Sequence, residues 1–234
     1  MLPLIAFDST PVDSRCQDEG VSSFRPEPSL RSYGGEAGDT RVARRRATLI
    51  DAALDLLARE EAGAVTVRGI CAHAGLTPRY FYESFAGVDE LVAATYDGVI
   101  AEIAEEALAA FAAGGDSREK VAQAVRAVVG VIDTDRRKGR LLFTDTLRSP
   151  VVAAKRGEST RLFVQLTTDS AVQAIGVPRG PETTAAAYFQ VGGLSRVLAS
   201  WTEGAVDLDR EQLIEVCVRM LLPDGLAGVV PGGD

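Results

Sequence analysis

TVRGICAHAGLTPRYFYESFAGVDEL, residues 66–91, sets four aromatic rings, two arginines and a proline into a segment whose remaining pattern is helical. Thr66 is a residue of N-cap type. Val67, Ile70 and Cys71 follow it at helical spacing as far as Ala74, and Gly75 supplies the permissive backbone on which helices end. A second helix is predicted from Pro78 to about Ser84. Thr77 can cap its orphan N–H groups, and a proline at the first helical position lacks only an N–H that would have no partner there. So little chain separates the two helices that they must turn sharply on one another, which is helix-turn-helix spacing.

Upstream, Leu49, Ala52, Ala53, Leu56 and Leu57 recur at intervals of three and four and predict a helix from about Arg44, closed near Gly63. In the third helix Phe81 and Phe85 lie four apart and are expected to face a small core with Ile70 and Leu76. Thr77, Arg79, Tyr80 and Tyr82 are left on other faces. Arginine can take guanine O6 and N7 in a fork, and the hydroxyls of tyrosine and threonine, Thr66 included, can reach phosphate oxygens. Arg68 on the first turn of helix two reads either as a contact on the same side or as a solvated arginine. Tyr82 reads either as a phosphate contact or as an aromatic packing against Phe85.

The chain carries a formal net charge of -8 and its sequence pI is about 4.9, a balance that argues against nucleic acid. The local balance differs. Residues 41–86 hold 7 Lys+Arg against 5 Asp+Glu, and four of those bases (Arg41, Arg44, Arg45, Arg46) fall in RVARRR. A local basic footprint is what phosphate binding requires.

Residues 44–96 resemble the N-terminal DNA-binding domain of the tetracycline-repressor (TetR) family. The resemblance is carried by the turn glycine Gly75, by Phe81, and by the Tyr-x-x-Phe pair Tyr82 and Phe85 that ends the recognition helix. It implies a three-helix domain, a fourth helix leading into a variable helical domain, homodimers on palindromic double-stranded DNA, and release by a small-molecule effector. By position, Arg68 would touch a base, Thr77, Pro78, Arg79 and Tyr80 would line the groove, and Tyr82 would hold phosphate. Members of the family usually carry a lysine at the start of the fourth helix, where this chain has Val88. Losing that cation predicts a salt dependence shallower by about one unit per protomer, with Arg44, Arg45 and Arg46 reaching neighbouring phosphates instead.

The expected fold is all-α: a helix-turn-helix domain over 41–86, then a helical effector-binding and dimerisation domain over 87–225. Residues 1–40 are predicted to be a disordered tail, alternatively a segment ordered by a partner, and 226–234 a flexible tail. In the second domain Phe111, Phe143, Phe163 and Tyr188 offer walls for a pocket, with Asp145, Arg148 and Gln165 as polar anchors. The segment holding Val191, Leu194, Leu198 and Trp201, together with Leu213, Val216 and Met220, fits the family's dimer interface. Gly192 and Gly193 within a helix suggest the close approach of a neighbouring helix. The run DTDRRKGR reads as a solvated face, or as a site at which Arg136, Arg137, Lys138 and Arg140 steer a phosphate-bearing effector such as a coenzyme A thioester.

Enzyme chemistry finds no footing here. No GxGxxG, P-loop, HExxH or GxSxG motif is present, and a single histidine, His73, leaves no imidazole pair or His-based metal cluster, so neither cofactor nor metal is expected. The three cysteines form no CxxC pair and read as reduced thiols, with Cys71 and Cys217 as packing residues. With no long apolar run and no basic start before an apolar stretch, the expected location is the cytoplasm, away from membranes. The alternative function is a helical protein-interaction module without specific DNA binding.

Overall fold

The computed structural model describes residues 38–59, 65–143 and 149–222, and among these the chain is helical without strands. The order is α1 (Gly38–Ala58), α2 (Val67–Ala74), α3 (Pro78–Tyr82), α4 (Val88–Ala113), α5 (Ser117–Thr134), α6 (Arg136–Phe143), α7 (Pro150–Ile175), α8 (Pro181–Thr202) and α9 (Arg210–Leu221). The first helix starts at Gly38, inside the stretch expected as tail. The rest of that tail, the C-terminal tail, the helix end at Gly63, Asp145 and Arg148 lie outside the described residues.

Most helix ends have the chemistry their residues dictate. The Thr66 hydroxyl accepts from Gly69 N at 3.1 Å, and Gly75 adopts φ 65° at the end of α2. Only a residue without Cβ takes that left-handed conformation freely, so the turn into α3 depends on glycine. Asp116 caps α5 through Glu119 N at 2.8 Å, and Asp209 forms a reciprocal capping box with Gln212 at the start of α9. Thr77 departs from expectation. Its side chain caps nothing, and its carbonyl accepts from Tyr80 N and Phe81 N. The Tyr80 N–H, one of the donors a capping hydroxyl would serve, is taken by that carbonyl instead. α3 is also shorter than predicted, passing at Glu83 into a turn that delivers Phe85 back to the core.

Two apolar cores share helices. Leu49, Ala53, Ile70, Phe81, Phe85 and Leu91 close the helix-turn-helix domain, with Leu76 packed against them. On a neighbouring face of α1 and α4, Leu54, Leu57, Val92 and Tyr96 join Leu141 and Val152 in a second core. Both helices are therefore buried on either side of the expected domain boundary at 86/87. Val88, where the family usually has lysine, packs against both cores. A third core gathers Val129 and Ile132 of α5, Leu198 and Trp201 of α8, and Leu213 and Cys217 of α9.

α6 is pressed flat against its neighbours. A Cβ on Gly139 would stand 2.9 Å from Ile132 Cγ2 and 3.0 Å from Thr202 Oγ1, so the helix approaches α5 and α8 at a distance only glycine permits. Among the described residues no helix is long and apolar enough to cross a membrane.

Candidate functional site

The outward face of the helix-turn-helix is built on a buried ring. Phe81 is 0% exposed, edge-on to Tyr82 at 5.4 Å between centroids and tilted against Phe85 at 6.0 Å. Because successive helix positions diverge by about 100°, anchoring Phe81 turns its neighbours outward. Arg79 is 85% exposed and Tyr82 is 61% exposed, while Thr66, Arg68, Thr77 and Pro78 are exposed and Tyr80 is half-buried. α3 thus presents a guanidinium, a phenol and a hydroxyl on one short convex surface, with Arg68 at the start of the preceding helix.

The basic segment ahead of it divides in two. Arg45 is drawn inward: its guanidinium lies 4.2 Å from the centre of the Tyr80 ring and 3.3 Å from Glu83 Oε2. This side chain braces α3 from α1, which the sequence reading did not foresee. Arg44 and Arg46 stay exposed, with Arg46 stacked 4.7 Å over the Phe85 ring. Glu83 also takes Arg79 Nε at 3.3 Å, an exposed i,i+4 pair that orients the arginine without burying it. His73 Nε2 meets Asp55 Oδ2 at 2.8 Å and so ties α2 to α1. Burial raises the thiol pKa of Cys71, behind α2, leaving it little of the reactive thiolate form.

The start of α4 is closed by a carboxylate and an apolar side chain, with no cation in place of the usual lysine. Glu90 Oε2 accepts from Ala86 N at 2.6 Å at the α4 start, a position where a carboxylate complements the helix dipole. The apolar Val88 is spent on packing between the cores, so no cation stands there.

Farther along, α4, α5, α7 and α8 enclose a cavity of about 390 Å³. Phe111, Phe143 and Phe163 line it, as expected from sequence. Gln165 and Tyr188 do not. Both are exposed, because each lies on the outward face of its helix. The structure instead brings Tyr96, Arg156 and Ser159 into the wall, with Tyr96 Oη and Ser159 Oγ 3.2 Å apart. Burial pushes the Tyr96 hydroxyl above the ordinary tyrosine range, against the opposing pull of the Ser159 hydrogen bond and the Arg156 charge, so the phenol keeps its proton. Sequence gave no signal for Arg156: a lone arginine in the polar run of α7 looks like any solvated one.

The expected dimer residues are also redistributed. Leu198, Trp201 and Leu213 are buried in the protomer's own third core, and Val191, Leu194 and Leu198 face the cavity. Burial turns Leu198, Trp201 and Leu213 away from the protomer's surface, while Val191 and Leu194 are half-buried. Met220 is 66% exposed and Val216 half-buried. On the outer side of α8, Phe189 is 81% exposed beside exposed Ala185, Gly192 and Gly193. Among the described residues no neighbour lies within 4 Å of a Cβ added at either glycine, so none of them makes the close approach expected there.

The bases of α6 are engaged. Arg136 pairs with Asp133 at 2.9 Å and lies 4.5 Å over the Trp201 ring, and Lys138 Nζ meets Glu102 at 2.6 Å. Arg137 reaches Asp135 at 2.8 Å and Asp51 of α1 at 2.9 Å. That engagement removes three of the four groups expected to steer a polyphosphate; Arg140 is exposed. Among the described residues no group of His, Cys, Asp and Glu could hold a metal ion.

Comparison with known proteins matches residues 49–95 to the model of bacterial regulatory proteins of the tetR family. The HTH-type transcriptional regulator BetI of Rhizobium meliloti (strain 1021) is 32% identical over 82 residues, which are 35% of this chain and 40% of BetI, so the match spans well under half of that relative. The fold extends further. The fatty acid degradation regulator FadR from Bacillus halodurans superposes with a TM-score of 0.67 at 17% identity, over 78% of this chain and 96% of that one. FadR from Bacillus subtilis, in complex with stearoyl-CoA, gives 0.64 at 15% identity over 76% and 97%. Residues 49–95 thus match the tetR family of bacterial regulatory proteins in sequence, and the helical body as a whole is similar in fold to the FadR structures.

Proposed function

We propose that this chain is a transcriptional regulator that binds a palindromic operator as a homodimer in the cytoplasm and releases it when a small molecule enters the cavity, most simply as a repressor. The observation that carries the reading is the presentation of Arg79 and Tyr82 on the outer surface of α3, above the fully buried Phe81. Two such helices, one per protomer, would enter major grooves about 34 Å apart. Arg79 would read base edges, with Thr77, Pro78 and Tyr80 alongside. Thr66, Tyr82, Arg44 and Arg46 would hold phosphates, with Arg68 at the rim and Arg45 as the brace that sets the angle of α3.

The outer side of α8 supports the dimer. Phe189, Tyr188 and Met220 are large apolar side chains left in water by a single protomer, and Gly192 with Gly193 would let a second copy of the helix approach closely. The enclosed apolar cavity supports a ligand, which shifts the equilibrium only as far as it binds one dimer conformation better than the other.

Footprinting of the DNA flanking the gene, with wild type and with Arg79→Ala plus Tyr82→Phe, tests the reading. Wild type is expected to protect an inverted repeat, and the double variant to lose protection while remaining a dimer by light scattering. If wild type holds that DNA no better than unrelated DNA, a protein-interaction module takes the regulator's place.

A further inference from the structure

Given the reading above that α3 enters the major groove, one charge on that face has the wrong sign. Glu83 is the only acidic residue between Thr66 and Ala86, and it stands at the C-terminal end of α3. A carboxylate there meets the carbonyl end of the helix and, in a complex, the negative backbone of the duplex. Its ion pairs are partly exposed, a kind that adds little to a fold. Stability gives little reason for Glu83; the identity of its two partners gives a better one.

Those partners come from two helices. Glu83 Oε1 accepts from Arg79 Nε at 3.3 Å, one turn back on α3. Glu83 Oε2 lies 3.3 Å from Arg45 Nη2 on α1, and the same Arg45 guanidinium lies 4.2 Å from the centre of the Tyr80 ring. Arg45 keeps 24% of its side chain exposed and Glu83 35%, whereas Arg79 keeps 85%. The carboxylate is thus fixed from α1 and holds the outermost arginine by the donor nearest its stem. The two terminal Nη groups of Arg79, which can fork onto guanine O6 and N7, are left for a base.

This arrangement acts differently on two kinds of DNA. Unrelated duplex is held by charge, and there Glu83 repels phosphate and occupies cations that would otherwise bind it. A duplex with guanine in register meets Arg79 through a base edge, at the end of the guanidinium that the carboxylate does not use. We propose that Glu83 is a specificity-determining residue: anchored by Arg45, it positions Arg79 for base readout and withholds both arginines from indiscriminate phosphate contact. A repulsive element of this kind discriminates against the wrong partner without adding affinity for the right one.

The test selects duplexes from a random-sequence pool with full-length wild type, then measures affinity for the selected duplex and a scrambled copy at several salt concentrations. Glu83→Gln keeps the shape and removes the charge. It is expected to bind the scrambled duplex several times more tightly, with a salt slope steeper by about one unit per protomer. The ratio between the two duplexes should fall about tenfold, within the worth of one bidentate base contact. Glu83→Asp, which keeps the charge, should retain the shallower slope. In an Arg79→Ala background Glu83→Gln should strengthen both complexes equally and leave the ratio unchanged, because the discrimination passes through Arg79. A ratio that Glu83→Gln alone does not change, weaker binding of both duplexes, or the same loss of ratio in the absence of Arg79 would each overturn the proposal. Selection of no duplex by wild type ends the DNA-binding reading and this proposal together, whereas a selected duplex whose preference ignores Glu83 ends only the role given to this residue.

Discussion

Arg137 on α6 places its Nη2 2.9 Å from Asp51 Oδ1 on α1, bridging the helix that walls the cavity with Leu142 and Phe143 to the helix that carries Arg45 and Arg46. The same guanidinium holds Asp135 at the head of α6 and stands 3.9 Å from Asp55, which in turn holds His73 of α2. In the proposed release by ligand, these contacts would link α6 to both helices that support α3. Arg137→Gln is expected to leave operator affinity nearly intact but to blunt the release caused by ligand. The check is a pair of operator titrations with and without ligand, and the partly exposed pair should cost the fold only about 1 kcal/mol or less.

Asp135 gives the fold a dependence on acid. Its hydrogen bond from Arg137 holds the carboxyl below the ordinary aspartate value of 3.8 against the opposing effect of burial. A carboxyl depressed in the folded state stabilises above its unfolded pKa, and that contribution is lost as pH falls through the folded value. Asp135→Asn should therefore lower stability at neutral pH by about 1 kcal/mol. Wild type and variant should converge in urea melts as the pH drops below 3.8.

Arg79→Ala tests recognition without disturbing the fold, because the side chain is 85% exposed. Operator affinity should fall by about 1–3 kcal/mol, mostly as lost discrimination between the operator and a base-substituted copy, with an unchanged melting temperature. Comparable binding to both DNAs by wild type would remove Arg79 from base readout.

Behind that surface, Phe81→Ala is expected to cost about 3–5 kcal/mol, since it empties a fully buried site shared with Leu49 and Ile70. Gly75→Ala, at φ 65°, should cost about 1–2 kcal/mol from backbone strain alone, with open space around the added methyl. Circular-dichroism melts compare the two. A neutral Gly75→Ala would show that the turn relaxes out of the left-handed region.

The helix-turn-helix was legible in sequence because its signals are local. Thr66, Gly75, Pro78, Phe81 and Phe85 each act within a turn or two of chain, and the structure places α2, α3 and their core where these residues point. The second domain was legible only as helices. Periodicity identified Leu198 and Trp201 as an apolar face without saying whether the facing helix belongs to the same chain, and they pack on α5 and α9 rather than outward. For the same reason Gln165 and Tyr188 were assigned inward. Tyr96, Arg156 and Ser159 escaped notice because Tyr96 comes from a segment distant from the other two, which only the packing of α4 on α7 brings together. Thr77 shows that even a local signal can be overridden, here by its own carbonyl, which takes the Tyr80 N–H in place of the hydroxyl.

The chain holds a single tryptophan, and Trp201 donates its indole N–H to Leu208 O at 2.9 Å with the Arg136 guanidinium across its ring. Its emission colour depends on that cation and on the dryness of its surroundings, so ultraviolet excitation of the unlabelled protein selectively interrogates the contact between α8 and α6. A shift in the spectrum when small molecules are added would register a change at that contact, without dyes or DNA present.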